Sequence, residues 1–321
     1  MLYIETNSFD PYYNLATEEY LVKNKKEDIC MLWRNNPCIV IGRSQNAMAE
    51  IDYDYVKKNN IIVVRRMSGG GAVFHDLQNL NFTYIINGGK FGNYVGLTDT
   101  LRQYVNTLGI NCEVSGRNDV LAEGRKFSGN AQYVWHGRLM HHGTILINAD
   151  MSHLAAALRP DETKIASKGV KSVRSRVVNL AELADTDAER FMHGFEQFIK
   201  QDKSVRDYTL TEEEKAAIKK LRDEKYATFE WNFGYSPKYT FKSKKRFPAG
   251  GVEVFLSVKD GSVEDIKIFG DFFTDTDIGI LENALRGCVH DKDALDAALK
   301  AVWSENILGG IQKDEFLSCL I

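Results

Sequence analysis

Three consecutive glycines, Gly69, Gly70 and Gly71, lie in the run RRMSGGGAVFHD at 65–76 and constrain this chain more than any other feature. An apolar β-branched run (61–64) precedes them and a second apolar run (80–86) follows, so the segment reads as a glycine turn held between two strands. Glycine reaches positive φ freely and lets backbone approach a ligand closely. Successive N–H groups in such a turn form a concavity that suits an anion. Arg65 and Arg66 stand just before it and offer planar forks to a phosphate or carboxylate. Taken alone, the segment is equally a tight turn or a bulge with no ligand. No Gly-Lys-Ser/Thr follows the glycines, and the G-x-G-x-x-G spacing is missing, so neither common nucleotide fingerprint is present.

A length of 321 residues allows one large domain and a small one. A net charge of -3 gives no reason to expect a nucleic-acid partner, which would usually bring a basic excess. The opening residues, MLYIETNSFDPYY, have neither the basic nor the apolar region of a secretory signal. No apolar run approaches the roughly 20 residues of a membrane span. Cys30, Cys38, Cys112, Cys288 and Cys319 are scattered, with no C-x-x-C, which predicts reduced thiols in the cytoplasm rather than a disulfide frame or a zinc site.

In chain order, Asn14 is a candidate cap for a helix through Leu15 and Leu21. The apolar runs 29–33 and 38–41, separated by Arg34-Asn35-Asn36-Pro37, read as a hairpin. Short helices are expected over 51–58 and 152–158, and an amphipathic one over 97–108, stopped by Gly109. Thr186 with Glu189 and Thr211 with Glu214 are spaced as capping boxes. The alternating runs 252–258 and 263–269 around Asp260-Gly261 predict a hairpin, followed by helices over 277–285 and 291–303. The basic stretch 242–246 reads as a linker. This gives an α/β main domain over 1–240 and a small α+β domain over 246–321, the latter with no constellation that carries chemistry.

A second dense region spans 115–148. It holds the polar turn Ser115-Gly116-Arg117-Asn118-Asp119, then Arg125-Lys126-Phe127-Ser128-Gly129, then a strand carrying His141 and His142. Small residues beside Lys126 would let a ligand pack around its amine, and an ammonium with three donors can bridge two anions. Taken alone, a lysine is more commonly solvated surface. The adjacent histidines point to opposite faces of a strand and cannot share one metal ion, so one faces a site and the other the core or solvent. His75 is placed either to contact a ligand or to hydrogen-bond backbone. The run 164–176 carries Lys164, Lys168, Lys171, Arg174 and Arg176 in a chain of net negative charge, which suggests a loop that closes over a polyphosphate.

In combination, RRMSGGGAVFHD, SGRND, RKFSG, HHGTILINAD and SKGVKSVRSRVVNL, in this order and spacing, resemble lipoate–protein ligase of the A type over nearly the whole chain, Trp231-Asn232-Phe233-Gly234 included. The resemblance implies a mixed-sheet α/β catalytic domain related to biotin ligases and octanoyltransferases, with an α+β accessory domain. It implies that lipoate and MgATP give lipoyl-AMP, and that the lipoyl group then passes to a lysine of an apo-lipoyl domain, in 2-oxoacid dehydrogenase E2 subunits or the glycine cleavage H protein. Carried over by motif, Lys126 touches both the lipoyl carboxyl and the α-phosphate. Arg66, Ser68, Gly69, Gly70, Gly71, Ala72, Val73 and Phe74, with Lys168, Ser172, Val173 and Arg174, bind the nucleotide or adenylate. Arg65, Gly70, His75, His142 and Trp33 meet lipoate, and Asp119 either holds Mg²⁺ or orients the acceptor lysine. A cytoplasmic monomer with no nucleic-acid or membrane partner follows. Met67 departs from the polar residue often found in the family at that place, which touches the edge of the pocket. One rival is an ATP-independent octanoyl or lipoyl transferase, which needs a thiol near the lysine, with Cys112 its candidate. The other is a non-catalytic lipoyl-domain binding protein, which would have no use for an α-phosphate contact.

Overall fold

The computed structural model describes residues 1–45, 47, 51–115, 118–150, 157, 177–233, 241–259 and 261–321, the side chains of 53 and 54 excepted. The helix expected over 152–158 (Ala157 apart), the basic run 164–176 and positions Gly116, Arg117, Gly234 and Asp260 lie outside them.

Alternation decides how the main sheet is covered. In β1 (Leu2–Glu5) and β2 (Ile29–Arg34), Leu2, Ile4, Ile29, Met31 and Trp33 join one apolar cluster, while Tyr3, Cys30 and Leu32 join another. Successive strand residues point to opposite faces, so both faces of this sheet are buried. With β6 (Asn79–Asn87), β7 (Cys112–Ser115), β8 (Asp119–Ala122), β9 (Arg125–Trp135), β10 (Arg138–Leu146) and β11 (Arg206–Asp207), they form eight strands in the order β11-β1-β2-β6-β10-β9-β8-β7. The β11, β1 and β2 pairings are parallel and the rest antiparallel.

A second sheet places β3 (Cys38–Ile41) between β4 (Ile62–Arg65), parallel to it, and β5 (Val73–His75), antiparallel. The hairpin expected from the runs 29–33 and 38–41 does not form. Both hydrogen-bonding edges of β2 are taken by β1 and β6, so β3 leaves for the other sheet.

Helix α1 (Pro11–Asn24) is capped by Asp10, whose carboxylate accepts the Tyr12 N–H at 2.9 Å. The expected cap, Asn14, is instead buried and ties the loop 6–8 to Arg34 and Asn35. Helix α2 covers Tyr53–Lys58, and the helix expected over 97–108 divides at Thr98 into α3 (Tyr94–Leu97) and α4 (Asp99–Thr107). Helix α5 (Ala188–Ile199) starts one residue beyond the expected box. Asp187 accepts the N–H groups of Glu189 and Arg190, because an ionised acceptor at the positive end of a helix outcompetes the Thr186 hydroxyl. The Thr211–Glu214 box does form, at the start of α6 (Glu212–Leu221).

Helices α4 and α5 cover one face of the main sheet through Leu101, Tyr104, Val105, Phe191 and Phe195. Helix α1 and the second sheet cover the other, through Leu15, Leu21, Val22, Val40 and Val64. The turn between β4 and β5, which carries the glycines, lies over the face on which β6, β9 and β10 carry the polar residues Asn81, Asn130 and His142.

After the short helix α7 (Phe229–Asn232), strands β12 (Phe241–Phe247), β13 (Gly250–Lys259) and β14 (Ser262–Gly270) make a third sheet. Helices α8 (Gly279–Leu285), α9 (Lys292–Val302) and α10 (Lys313–Leu317) close a separate core on it. The stretch 242–246 is thus an edge strand, not a linker. Its charged side chains face solvent, as they do on edges protected against further pairing.

Candidate active site

The turn is held by its own arginine. Arg66 is 6% exposed, and its guanidinium donates to the carbonyls of Val40 (3.1 Å), Gly69 (2.7 Å) and Gly71 (2.9 Å), and through Nε to Ser68 Oγ (3.1 Å). Burial pulls its pKa down to about 10, against the opposing pull of the Glu18 charge, so it remains a cation at neutral pH. The three glycines do three different things. Gly70 sits at φ +95°, open to glycine alone without strain, and a Cβ on Gly69 would lie 2.5 Å from the Phe272 carbonyl oxygen. Around Gly71 there is open space.

Arg65, one residue earlier, turns the other way. It is 1% exposed and donates to the carbonyls of Gly42, Arg43, Gln45, Trp231 and Asn232 at 2.6–3.1 Å, clamping α7 to the second sheet. The lipoate contact expected of Arg65 is therefore not available, because consecutive strand residues face opposite sides and this one faces inward. The Phe74 side chain is likewise packed among Ile39, Ile41 and Val63, away from the cleft. Any nucleotide contact at Phe74 would be through backbone.

The cleft itself has a volume of about 170 Å³. Leu15, Trp33, Val40 and Val73, which share one apolar cluster, line it together with Ala72, Ala131 and Phe273. Arg66, Gly70, Gly71, His75, Lys126, His142 and Thr144 contribute the polar lining. Trp33 is fixed by a 2.9 Å hydrogen bond from its indole N–H to Thr83 Oγ1. Lys126, on β9, pairs with Asp119 on β8 at 2.7 Å, and both side chains are 37% exposed. Gly129 makes room for the lysine: a Cβ there would lie 3.0 Å from Lys126 Nζ. The Lys126 carbonyl accepts the Val178 N–H at 2.9 Å, and Val177 bridges to the backbone of the lysine.

His142 faces the cleft side and bonds Ser68 Oγ (2.6 Å) and Glu18 Oε1 (2.8 Å), while His141 packs on the other side against Phe82, Tyr94 and Gln132. His75 Nδ1 accepts from the Asn35 amide at 3.1 Å, which leaves the proton on Nε2. Burial first, then Arg66 and His142, pulls its pKa down to about 3, so it is neutral. Among the described residues, no three His, Cys, Asp or Glu side chains gather as a metal site.

Three residues that line this cleft each carry a buried polar atom with no protein partner: His75 Nε2, Asn81 Nδ2 and Asn130 Oδ1. A buried donor or acceptor left bare costs roughly 1–3 kcal/mol, so each of these atoms calls for a partner that the protein does not supply. Sequence reasoning missed Asn81, Asn118 and Asn130. One signal was available: Asn79, Asn81 and Thr83 alternate with Leu80, Phe82 and Tyr84 on a central strand, which puts a polar stripe where a core face is expected. It also missed Phe273, which the third sheet's unit extends into the cleft. There Gly70 N–H donates to the Phe272 carbonyl at 3.3 Å, Gly270 N–H to Ser44, and Arg43 pairs with Asp277 at 3.2 Å. Nothing in the local pattern of 270–277 signals that contact.

Fold and cleft together set an apolar wall, a lysine ammonium and a buried guanidinium around one cavity. Comparison with known proteins gives the family. The lipoyl protein ligase A/B catalytic domain matches residues 10–200, and the bacterial lipoate protein ligase C-terminus matches 236–320. The chain belongs to the lipoate–protein ligase family. It is 41% identical to lipoate–protein ligase LplJ of Bacillus subtilis over the whole of both chains, and 40% identical to lipoate–protein ligase 1 of Staphylococcus aureus over 99% of each. Its fold matches LipL1 of P. falciparum in complex with lipoate at a TM-score of 0.81 and 26% identity, covering 99% of this chain and 97% of that one. A lipoate–protein ligase A bound with ATP matches at 0.60 and 28% identity, over 73% of this chain and 97% of the other.

Proposed function

We infer that this chain, an ATP-dependent lipoate–protein ligase, activates lipoate on Lys126 and passes the lipoyl group to a lysine of an apo-lipoyl domain. The observation that carries the residue assignment is the shared cleft, where one ammonium stands with a buried guanidinium and an apolar wall. A carboxylate is inert towards an amine because it offers no leaving group. Attack of its oxygen on the α-phosphorus, with loss of pyrophosphate, makes AMP that leaving group. Lys126 offsets the repulsion of the two anions and stabilises the charge that develops between them. Holding both in one cleft supplies the proximity contribution.

Trp33, Leu15, Val40 and Val73 are the wall for the dithiolane chain. Arg66, Ser68, Gly69, Gly70, Gly71, Ala72 and Val73, with the Phe74 backbone, form the nucleotide side. His142 and the bare atoms of His75, Asn81 and Asn130 give polar partners to the bound pair. Lys168, Ser172, Val173 and Arg174 are assigned further adenylate contacts on the match of their motif. Asp119 suits Mg²⁺ as one carboxylate, the remaining oxygens coming from phosphate and water; such an ion would supply further neutralisation of phosphate charge.

Against a thiol transferase, none of the described residues lining the cleft is a cysteine. Cys112 is buried with its thiol on Arg102 O and Asn106 Oδ1, and burial raises its pKa away from the reactive thiolate. A bipartite ligase of Thermoplasma acidophilum is known with its E2 lipoyl domain, and that pairing supports lipoyl domains of 2-oxoacid dehydrogenase E2 subunits as acceptors here; the glycine cleavage H protein is proposed as a further acceptor on the family resemblance alone. No helix among the described residues is long and apolar enough to cross a membrane. All five cysteines are unpaired, as a reducing compartment keeps them, which supports a place in the cytoplasm. We assign 1–240 to activation and transfer, and start the accessory unit at 241, where its first strand begins.

The test is lipoate-dependent exchange of labelled pyrophosphate into ATP without acceptor protein. Exchange is the expected result. No exchange, together with acyl transfer from a lipoyl or octanoyl donor protein, would replace the ligase with a transferase.

A further inference from the structure

Behind the cleft, a chain of buried side chains ends on one carboxylate that touches no cleft surface. Glu18 on α1 is 1% exposed, and its Oε1 accepts from Thr83 Oγ1 at 2.6 Å and meets His142 Nδ1 at 2.8 Å. His142 Nε2 lies 2.6 Å from Ser68 Oγ, which accepts from Arg66 Nε at 3.1 Å. Trp33 Nε1 donates to Thr83 Oγ1 at 2.9 Å.

The donor inventory gives these bonds one direction. Glu18 Oε1 already accepts from Thr83 Oγ1 and accepts from His142 as well, so a proton lies on Nδ1, and in the singly protonated imidazole Nε2 carries a lone pair. Ser68 must then donate its hydroxyl proton to Nε2, which leaves its oxygen lone pairs for Arg66 Nε–H. Indole N–H only donates, so Thr83 accepts it and gives its own proton to Glu18. Each proton is used once, and both branches run towards Glu18. The reverse tautomer would aim two N–H groups at Ser68 and strand its hydroxyl proton. Arg66 is the member that holds the Gly69 and Gly71 carbonyls, and the Glu18 charge counters its burial.

We propose that Glu18 is a positioning residue for carboxylate activation: by fixing His142 as the Nδ1–H tautomer, it sets Ser68 and Arg66 and thereby the glycine turn before substrates arrive. This rests on the ligase reading above. Glu18 does not line the cleft, whereas His142, Trp33 and Arg66 do, so it acts through them. Of the lipoate wall, Trp33 is tied to Glu18 through Thr83, whereas the apolar side chains of Leu15, Val40 and Val73 make no hydrogen bond to it.

Two measurements test this on the full chain. In ¹⁵N-histidine NMR of the unaltered protein, His142 should show a protonated Nδ1 and an unprotonated Nε2; any other state overturns the proposal without need of a variant. In lipoate-dependent pyrophosphate exchange, Glu18→Gln should lower kcat about 10–100-fold, with KM for lipoate within threefold, as loss of an outer support does elsewhere. Ser68→Ala cuts the link, so Glu18→Gln added to it should change kcat by less than twofold, where independent effects would multiply. A Glu18→Gln kcat within threefold of the unaltered enzyme, or losses that multiply, would overturn it. Absence of exchange in the unaltered enzyme would instead count against the ligase reading.

Discussion

On the glycine-turn wall, Arg66 is 6% exposed and its guanidinium is spent on Val40, Gly69, Gly71 and Ser68, whereas on the facing wall Lys126 is more than a third exposed and pairs with an equally exposed Asp119. The first set of contacts is desolvated, and no member can leave without stranding another. The second is an exposed ion pair of the kind worth ~0–1 kcal/mol, which a phosphate or carboxylate can displace at little cost. One wall is a frame built before the ligand arrives; the other is a reagent held ready by a weak partner. Breaking each should therefore fail differently, the frame in stability and the reagent in chemistry.

The largest effect is expected at the frame. Arg65→Met and Arg66→Met each strand several buried carbonyls and should lower unfolding free energy by roughly 3–5 kcal/mol, read by urea denaturation. Only Arg66 lines the cleft, so only its variant should also lose pyrophosphate exchange, at least about 100-fold under conditions where both remain folded. Equal losses of exchange in the two would mean that Arg66 serves stability alone.

Next is the reagent. Lys126→Ala should cut exchange by about 10²–10³-fold, the usual loss for one preorganised charge in a transition state. Its melting temperature should shift by no more than the weak pair with Asp119 warrants. If the exchange rate survives, or the protein melts far below the unaltered one, the division between frame and reagent is wrong.

Much of this was legible in the residues, within limits that physics explains. The β-branched run before the glycines, the alternation around Gly261 and the Thr211–Glu214 box are local signals, and each became the expected element. The partner of β2 is not a local matter: an apolar run states that it will be buried, not which edge it will meet, so a crossover between sheets was read as a hairpin. Lysines on a charged edge strand look like a linker because only one face of that strand is buried. At the site, motif order singled out Lys126, Asp119, Arg66, His75 and His142, and the family resemblance added Trp33; Arg66, His75, Lys126, His142 and Trp33 line one cleft, with Asp119 paired to Lys126. Motif order did not separate Arg65 from Arg66, since strand phase depends on register. Glu18 and Phe273 come from distant segments and leave no trace in the spacing of the motifs.

A smaller effect follows from two buried neutral histidines, one lining the cleft and one on the other face of the sheet. His75 and His141 are both pulled down to about 3, chiefly by burial, while an unfolded histidine titrates near 6.5. Above about 6.5 both states are neutral and stability is full. As pH falls from there towards 3, the unfolded chain binds protons that the folded one refuses, and stability is lost. Between pH 7.5 and 5.5 each should remove about 1.4 kcal/mol from the unfolding free energy. His141→Asn should remove one share of that slope and leave exchange activity at pH 7.5 in place, since His141 lies on the face away from the cleft. An unchanged slope in that variant would show that other groups carry the acid sensitivity.

The smallest expected effect bears on what kind of reagent the second wall holds. Cys112 lies on β7, an edge strand of the main sheet, with its sulfur 3.4 Å from both Arg102 O and Asn106 Oδ1. A covalent transferase would need this thiol to become a thiolate within reach of Lys126, and burial acts in the opposite direction. Cys112→Ala should therefore leave lipoate-dependent exchange and transfer to an apo-lipoyl domain within twofold, and cost about 1 kcal/mol of stability from the small cavity and the two lost weak bonds. Transfer lost with exchange intact would make Cys112 an acyl carrier between the two half-reactions. In that case the facing wall would contain a nucleophile as well as a cation, and the contrast between a buried frame and a purely electrostatic reagent would fail on the reagent's side.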